Sequence, residues 1–359
     1  MIDVRTRQAI DLMSRFAERT GESRRYLWTD AFAVMNYLGL ARAARDTTFL
    51  HHAVTLIDRV HQWLAPLGSR SESEGRSHPT AAGLRIGKPR PERGADERFD
   101  ERLEWDRDGQ YFHYLTKWMQ ALDQTARVTG DESYATWARE HAAAAHRAFV
   151  YTSAAGTKRM YWKMSVDLSR PLVTSMGQHD PLDGYVTFLQ LRTPALEDAS
   201  ADFLSMIDTD RLATDDPLGI GGLLADAYRL EQLGALDHVL EATLVGALAG
   251  LRQFVRQPEL HAGADQRLAF RELGLAIGLA AVEHMTVDAP PRLRPVVDEL
   301  DKFMTLRNVI EEFWLSPENQ QADAWREHAD INDVMLATSL VPNGYVSLLN
   351  RTRQSSYSA

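Results

Sequence analysis

The sequence predicts an all-α protein, twelve helices in six hairpins, with an inner ring of helices wrapped by an outer one. Three observations predict this. Apolar residues recur at helical spacing along most of the chain, and no βαβ pattern appears. Connections within a hairpin are short, as at Gly130-Asp131-Glu132, which favours antiparallel neighbours. Unusual residues collect where every second helix begins, while the helices between are plainly amphipathic. Those starts read Trp28-Thr29-Asp30, Trp105-Asp106-Arg107-Asp108-Gly109, His179-Asp180-Pro181-Leu182-Asp183-Gly184, Asp215-Asp216-Pro217, Arg271-Glu272 and His328-Ala329-Asp330.

Taken in order, the first helix runs from Thr6 to Glu18, with Ile10, Leu12, Met13 and Phe16 on one face, and stops at Thr20-Gly21. The second starts near Thr29, and the third spans Thr48 to Leu64. The fourth runs from Tyr111 to Val128 and stops at Thr129-Gly130-Asp131. The fifth covers Tyr134 to Phe149, where the Ala142–Ala145 run permits close packing. The sixth follows Asp180-Pro181, the seventh covers Leu196 to Met206, and the eighth follows Asp216-Pro217. The ninth spans Leu236 to Val255, the tenth Leu268 to Met285, the eleventh Leu293 to Phe313, and the twelfth follows Asp330. Met160 to Val166 is the best candidate for a short extended piece. The stretch from Gly68 to about Glu104 has no helical period and is rich in Ser, Gly, Pro, Arg and Glu. A loop this long in a compact domain is commonly functional, and this one is expected to fold over the mouth of the ring. The 359 residues are read as a single domain.

Composition bounds the function. Hydrophobic content of 44% and charged content of 25% are ordinary for a globular chain. A net charge of −10 without a basic stripe argues against a nucleic-acid partner. The absence of cysteine removes thiolate catalysis, disulfides and Cys-based zinc sites. No apolar run approaches the about 20 residues of a membrane span. The N-terminus lacks the apolar core of a signal peptide, so a cytoplasmic location is expected. No cofactor motif is present: Gly219-Ile220-Gly221-Gly222 has neither a preceding strand nor a following Lys. His328-Ala329-Asp330 is the only weak hint of metal ligation, and no metal is expected.

Helix capping competes with catalysis for the aspartates. Asp180 reads as an N-cap with Pro181 at the first helical position and Asp183 at the third, and Asp216-Pro217 repeats the pattern. Capping does not require His179 before one cap, Lys163 upstream, or tryptophans at several starts. Trp28, Trp105, Tyr111 and Trp162 suit a sugar by position, because such rings pair a flat apolar face with a polar tip. His113 lies one turn into the fourth helix. His51, His52 and His61 sit on an outer helix and read as surface.

Six hairpins with acidic and aromatic openings to the inner helices resemble the six-hairpin glycosidase superfamily, the (α/α)6 toroids. The segment Trp105-Asp106-Arg107-Asp108-Gly109-Gln110-Tyr111-Phe112-His113-Tyr114 is similar to such openings. The resemblance spans the whole chain as architecture. It implies a carbohydrate-active enzyme, most simply a glycoside hydrolase, with a sugar or sugar-derived partner. The N-acylglucosamine 2-epimerase type shares the toroid and is the nearest rival. The Asp-rich motif of terpene cyclases, which share the toroid too, is missing.

Glycoside hydrolysis needs two carboxyls facing one bond. Asp106 and Asp108 are too close in sequence to flank a sugar, so the expected pair joins one of them to Asp180. Trp28, Asp30, Trp105, Tyr111, His113, Lys163, His179, Asp183, Glu272 and Asp330 are expected around the substrate. In the epimerase reading, His113 and His179 are the acid and base. A third reading is a toroid that only binds a saccharide or a protein. Converging helix N-termini favour an anionic ligand and the rim aspartates oppose it, so the sequence leaves the sign of the pocket open.

Overall fold

The computed structural model describes residues 2–20, 25–65, 75, 77–235, 238–288 and 290–349. Six long helices form the inner ring: α2 (Leu27–Ala43), α4 (Phe112–Thr129), α6 (Asp180–Leu191), α8 (Pro217–Gln232), α10 (Ala269–Asp288) and α13 (Ala329–Leu340). The outer layer comprises α1 (Val4–Thr20), α3 (Thr48–Leu64), α5 (Glu132–Phe149), α7 (Glu197–Met206), α9 (His238–Phe254), α11 (Arg294–Asp301) and α12 (Met304–Leu315). Each inner helix packs on the next, and α13 returns to α2, which closes the ring into an (α/α)6 toroid.

The two layers differ as their sequences require. Outer α3 buries Ala53, Leu56, Ile57, Val60 and Leu64, one stripe at helical spacing. Its His61, read as surface from sequence, is buried too and accepts a hydrogen bond from Trp118 Nε1 at 3.2 Å. Inner α2 is buried from Leu27 through Leu40 on every side, because it lies between the outer helices and the ring centre. Helix ends follow the expected chemistry. Gly130 closes α4 in the left-handed conformation, and Asp131 caps α5 by accepting from Ser133 N at 2.9 Å.

Ring closure departs from the sequence reading in one respect. Helix α1 packs chiefly along α13, so the sixth hairpin joins the two ends of the described chain. Arg15 and Arg19 of α1 reach Asp333 and Asp330 of α13 to make that seam. The predicted eleventh helix is split at Lys302-Phe303 into α11 and α12, a break that no proline or glycine marks. Leu236, the expected start of the ninth helix, lies outside the described residues. Helices α8 and α10 approach so closely that a Cβ on Gly221 would lie 2.0 Å from the Gly274 carbonyl oxygen. Within the Gly219–Gly222 run, Gly221 thus serves helix packing.

The extended piece is present as two fragments. Strands β2 (Val150–Thr152) and β3 (Lys158–Met160) form one small antiparallel sheet. The other joins β1 (Gln110–Tyr111), β4 (Lys163–Met164) and β5 (Pro171–Val173), with Tyr111 opposite Lys163. This strip leads the chain into α4.

Of the long irregular stretch, residues 68–74 and 76 lie outside the described residues. Its remainder packs beside the start of α2: Ile86 accepts from Leu27 N at 3.0 Å and donates to the Gly109 carbonyl at 2.8 Å. None of residues 77–104 lines the central cavity. Among the described residues, no helix is long and apolar enough to cross a membrane.

Candidate active site in the ring

A cavity of about 360 Å³ opens at the centre of the ring, and all six inner helices line it. Their contributions follow helical spacing. Trp28 and Phe32 come from α2, His113 and Lys117 from α4, Asp180 and Asp183 from α6, Gly222 and Asp226 from α8, and Gly274 and Ile277 from α10. Residues three or four apart share a helix face, so each helix presents one face inward. Trp162 flanks the mouth, and Tyr345 and Met335 complete the wall.

Asp180 lines this cavity at the start of α6. It is not the helix cap expected from sequence. His179 holds the cap position, and Asp180 is the first residue of α6, making no cap bond. Its carboxyl lies over Gly177, where a Cβ would sit 2.7 Å from it. The Asp180 Oδ2 atom is buried with no hydrogen-bond partner in the protein. Burial, reinforced by the charge of Asp183, pushes its pKa up to about 8. The shift favours the protonated carboxyl at neutral pH.

His113 Nδ1 lies 3.7 Å from Asp180 Oδ1. Burial pushes the His113 pKa down to about 4, so the imidazole is neutral at pH 7. His179 also lines the cavity, but its Nε2 is engaged with the Leu212 carbonyl at 2.8 Å.

Beneath them lies a buried charge network. Asp183 accepts from Lys117 Nζ at 2.7 Å and from the Thr116 hydroxyl, with Arg229 at 3.9 Å. Burial opposes its ionisation, yet Lys117 and Arg229 more than offset this and hold its pKa below the ordinary value. Arg229 also binds Asp226 at 2.9 Å and Gln190 at 2.8 Å, and Gln190 reaches Asp123 at 2.7 Å. Asp216, at the start of α8, caps that helix by accepting from Gly219 N at 3.0 Å. Its other oxygen meets Arg271 at 2.7 Å.

The remaining expected site residues go elsewhere, each for a visible reason. Asp106 is exposed at the end of a short helix and does not line the cavity. Asp108 is buried, but Arg85 at 2.8 Å and the Gly87 and Gly109 amides, both at 3.0 Å, occupy its oxygens. Lys163 is fully buried and binds the Glu104 side chain at 2.9 Å and two backbone carbonyls. Asp30 is buried against Arg25 at 3.5 Å. Glu272 pairs with Arg267 at 2.6 Å and accepts from Trp314 of outer α12 at 2.8 Å, so it faces the outer layer. Asp330 likewise faces Arg19 of outer α1. Trp105, half exposed, and buried Tyr111 do not line the cavity but extend an aromatic cluster outward from Trp162 and His113.

Sequence reasoning missed Lys117, Asp226, Arg229, Gly177 and Tyr345. Lys117 carried a usable signal, since it lies one turn after His113 on the same face. Tyr345 carried none, because it follows the last inner helix in a four-residue helix, Asn343–Val346.

This architecture is shared with solved structures of low sequence identity. A GH76 alpha-mannanase from Bacteroides thetaiotaomicron matches with a TM-score of 0.60 and 9% identity, over 95% of this chain and 96% of that one. The GH76A alpha-1,6-mannanase from Salegentibacter sp. HEL1_6 matches with a TM-score of 0.55 and 13% identity, over 94% and 99%. A cellobiose 2-epimerase from Spirochaeta thermophila DSM 6192 matches with a TM-score of 0.53 and 12% identity, over 89% and 86%. The likeness is one of fold. No family model and no curated protein matches the chain.

Proposed function

We propose that this protein is a carbohydrate-active enzyme, with its chemistry in the central cavity and Asp180 as the proton donor. The observation that carries the reading is the buried, unpartnered Asp180 carboxyl, held protonated at neutral pH beside neutral His113. Such a pair of titratable groups, driven apart by their surroundings, is a pattern of acid–base sites. Trp28, Phe32 and Trp162 give the cavity aromatic faces suited to sugar rings. The mannanases and the epimerase that share the fold act on saccharides, which supports the substrate class.

Glycoside hydrolysis is the reaction we favour. Asp180 gives its proton to the leaving glycosidic oxygen as the bond to the anomeric carbon breaks. Ionised Asp183, one turn along the same helix face, offsets positive charge developing on the sugar. Asp216, on the next inner helix, lines the cavity although Gly219 N and Arg271 engage its oxygens, and it takes a proton from the water that adds to that carbon. It replaces Asp106 and Asp108 as the second carboxyl.

A second reading, epimerisation, is favoured by one observation: His113 and His179 both line the cavity. There, His113 would take the proton from the carbon beside the carbonyl while Asp180 protonates the carbonyl oxygen, and His179 would return a proton to the opposite face of that carbon as Asp180 takes back its own. A panel of oligosaccharides, uronides and free sugars, followed for both new reducing ends and isomer composition, tests these readings. Reducing ends that depend on Asp180 support hydrolysis. Isomers that depend on both Asp180 and His113 support epimerisation. The absence of any turnover across the panel would refute the enzymatic reading.

A further inference from the structure

A second cavity, of about 540 Å³ against about 360 Å³ for the central one, lies at the other end of α6. Asp180 and Asp183 stand at the start of this helix, and Tyr185, Phe188 and Arg192 face the second cavity from its later turns. Leu196, Glu197 and Ser200 line it as well. We propose that this cavity is a second binding site, for a zwitterion with an apolar side chain, that is, a free apolar amino acid.

Three features point to a ligand. Ser200 is 8% exposed, and its Oγ has no hydrogen-bond partner, which leaves a buried polar group at the cavity wall. Arg192 ends α6 with φ at +35°, a left-handed conformation in which glycine would be free of strain. From this strained position the Arg192 Nη2 donates to the carbonyl of Leu233, another lining residue, at 2.6 Å. Thirdly, two unlike charges, the exposed Arg192 and Glu197, line the cavity. Among the described residues, no carboxylate pairs with Arg192 and no cation pairs with Glu197.

These charges decide the ligand class. The remaining guanidinium donors of Arg192 suit a carboxylate. Glu197 and the carbonyl ends of α6 and α8 suit an ammonium group. An anion alone would meet two negative helix ends, and a cation alone would meet Arg192. A zwitterion satisfies both, and Phe188, Leu189 and Leu196 receive its side chain.

The test is calorimetric titration with L-phenylalanine, phenylpropionate and phenethylamine. L-phenylalanine is expected to bind about 10-fold or more tighter than either single-charge analogue. Arg192→Gly relieves the backbone strain while removing the guanidinium, and it should reduce phenylalanine to the level of phenethylamine. Glu197→Gln should reduce it to the level of phenylpropionate. Ser200→Leu should abolish binding; if its melting curve shows that it does not fold, the Arg192 and Glu197 variants decide alone. Asp180→Asn should leave binding unchanged, which separates this site from the central one. No phenylalanine binding at millimolar concentration would overturn the proposal. So would binding that both rim variants retain in full, or binding that Asp180→Asn removes.

Discussion

His113 Nδ1 stands 3.7 Å from Asp180 Oδ1, across the junction of two neighbouring inner helices. Burial acts on the two groups in opposite senses, raising the Asp180 pKa to about 8 and lowering that of His113 to about 4. Between those values both are neutral, an unusual state for an Asp–His pair. The cavity thus offers a proton donor and a proton acceptor over the neutral range.

Activity should follow a bell-shaped pH profile. It falls as Asp180 loses its proton near pH 8 and, in the epimerase reading, rises as His113 loses its own near pH 4. The measurement is kcat/KM between pH 3 and 10 on whichever saccharide the panel identifies. An alkaline limb at or below pH 5 would remove Asp180 as the acid.

The same burial predicts a cost in stability. Between about pH 4 and pH 8 the folded protein holds a proton on Asp180 that the unfolded chain has released. Stability therefore falls as pH rises through that window, and the cost is absent below it. Asp180→Asn should raise stability at pH 7 by a few kcal/mol, on the order of the shift itself, with the gain vanishing near pH 4. Urea unfolding of both proteins at the two pH values checks this.

Gly177 makes room for the Asp180 carboxyl. A methyl group there would meet it at 2.7 Å and push it from its place. Gly177→Ala should lower kcat by about 100-fold while changing stability by no more than about 1 kcal/mol. Parallel kinetics and thermal melts would show the split between the two.

Besides offsetting charge on the sugar, Asp183 has two tasks that one substitution tests. Its charge helps to keep Asp180 protonated, and it neutralises buried Lys117 at 2.7 Å. Asp183→Asn should move the alkaline limb to lower pH. It should also destabilise the protein by roughly 3–5 kcal/mol, because Lys117 loses its partner. An unmoved limb would mean that Asp183 does not tune Asp180.

The ring was legible in the sequence because it rests on periodicity, short connections and the contrast between plain and unusual helix starts. The sixth hairpin was less so, since the pairing of α1 with α13 joins distant stretches that no local pattern links. Within the site, His113, His179, Asp180, Asp183 and Trp28 were found as cavity residues. Asp30, Glu272 and Asp330 stand at comparable helix starts but face other partners. Which way a carboxyl at a helix start points depends on the rotation of that helix against its neighbours. A single sequence carries that rotation only through partners such as Arg19, Arg25, Arg267 and Trp314, whose placement is tertiary. Asp108 misled for a related reason: its ion-pair partner, Arg85, lies in the irregular segment.

The most direct measurement compares Asp180→Asn with Asp106→Asn on the same saccharide substrate. Asp180→Asn should cost about 100- to 10,000-fold in kcat, as loss of a general acid does, while Asp106→Asn stays near native activity. Full activity in Asp180→Asn, or an equal loss in Asp106→Asn, would contradict the assignment of catalysis to the centre of the ring.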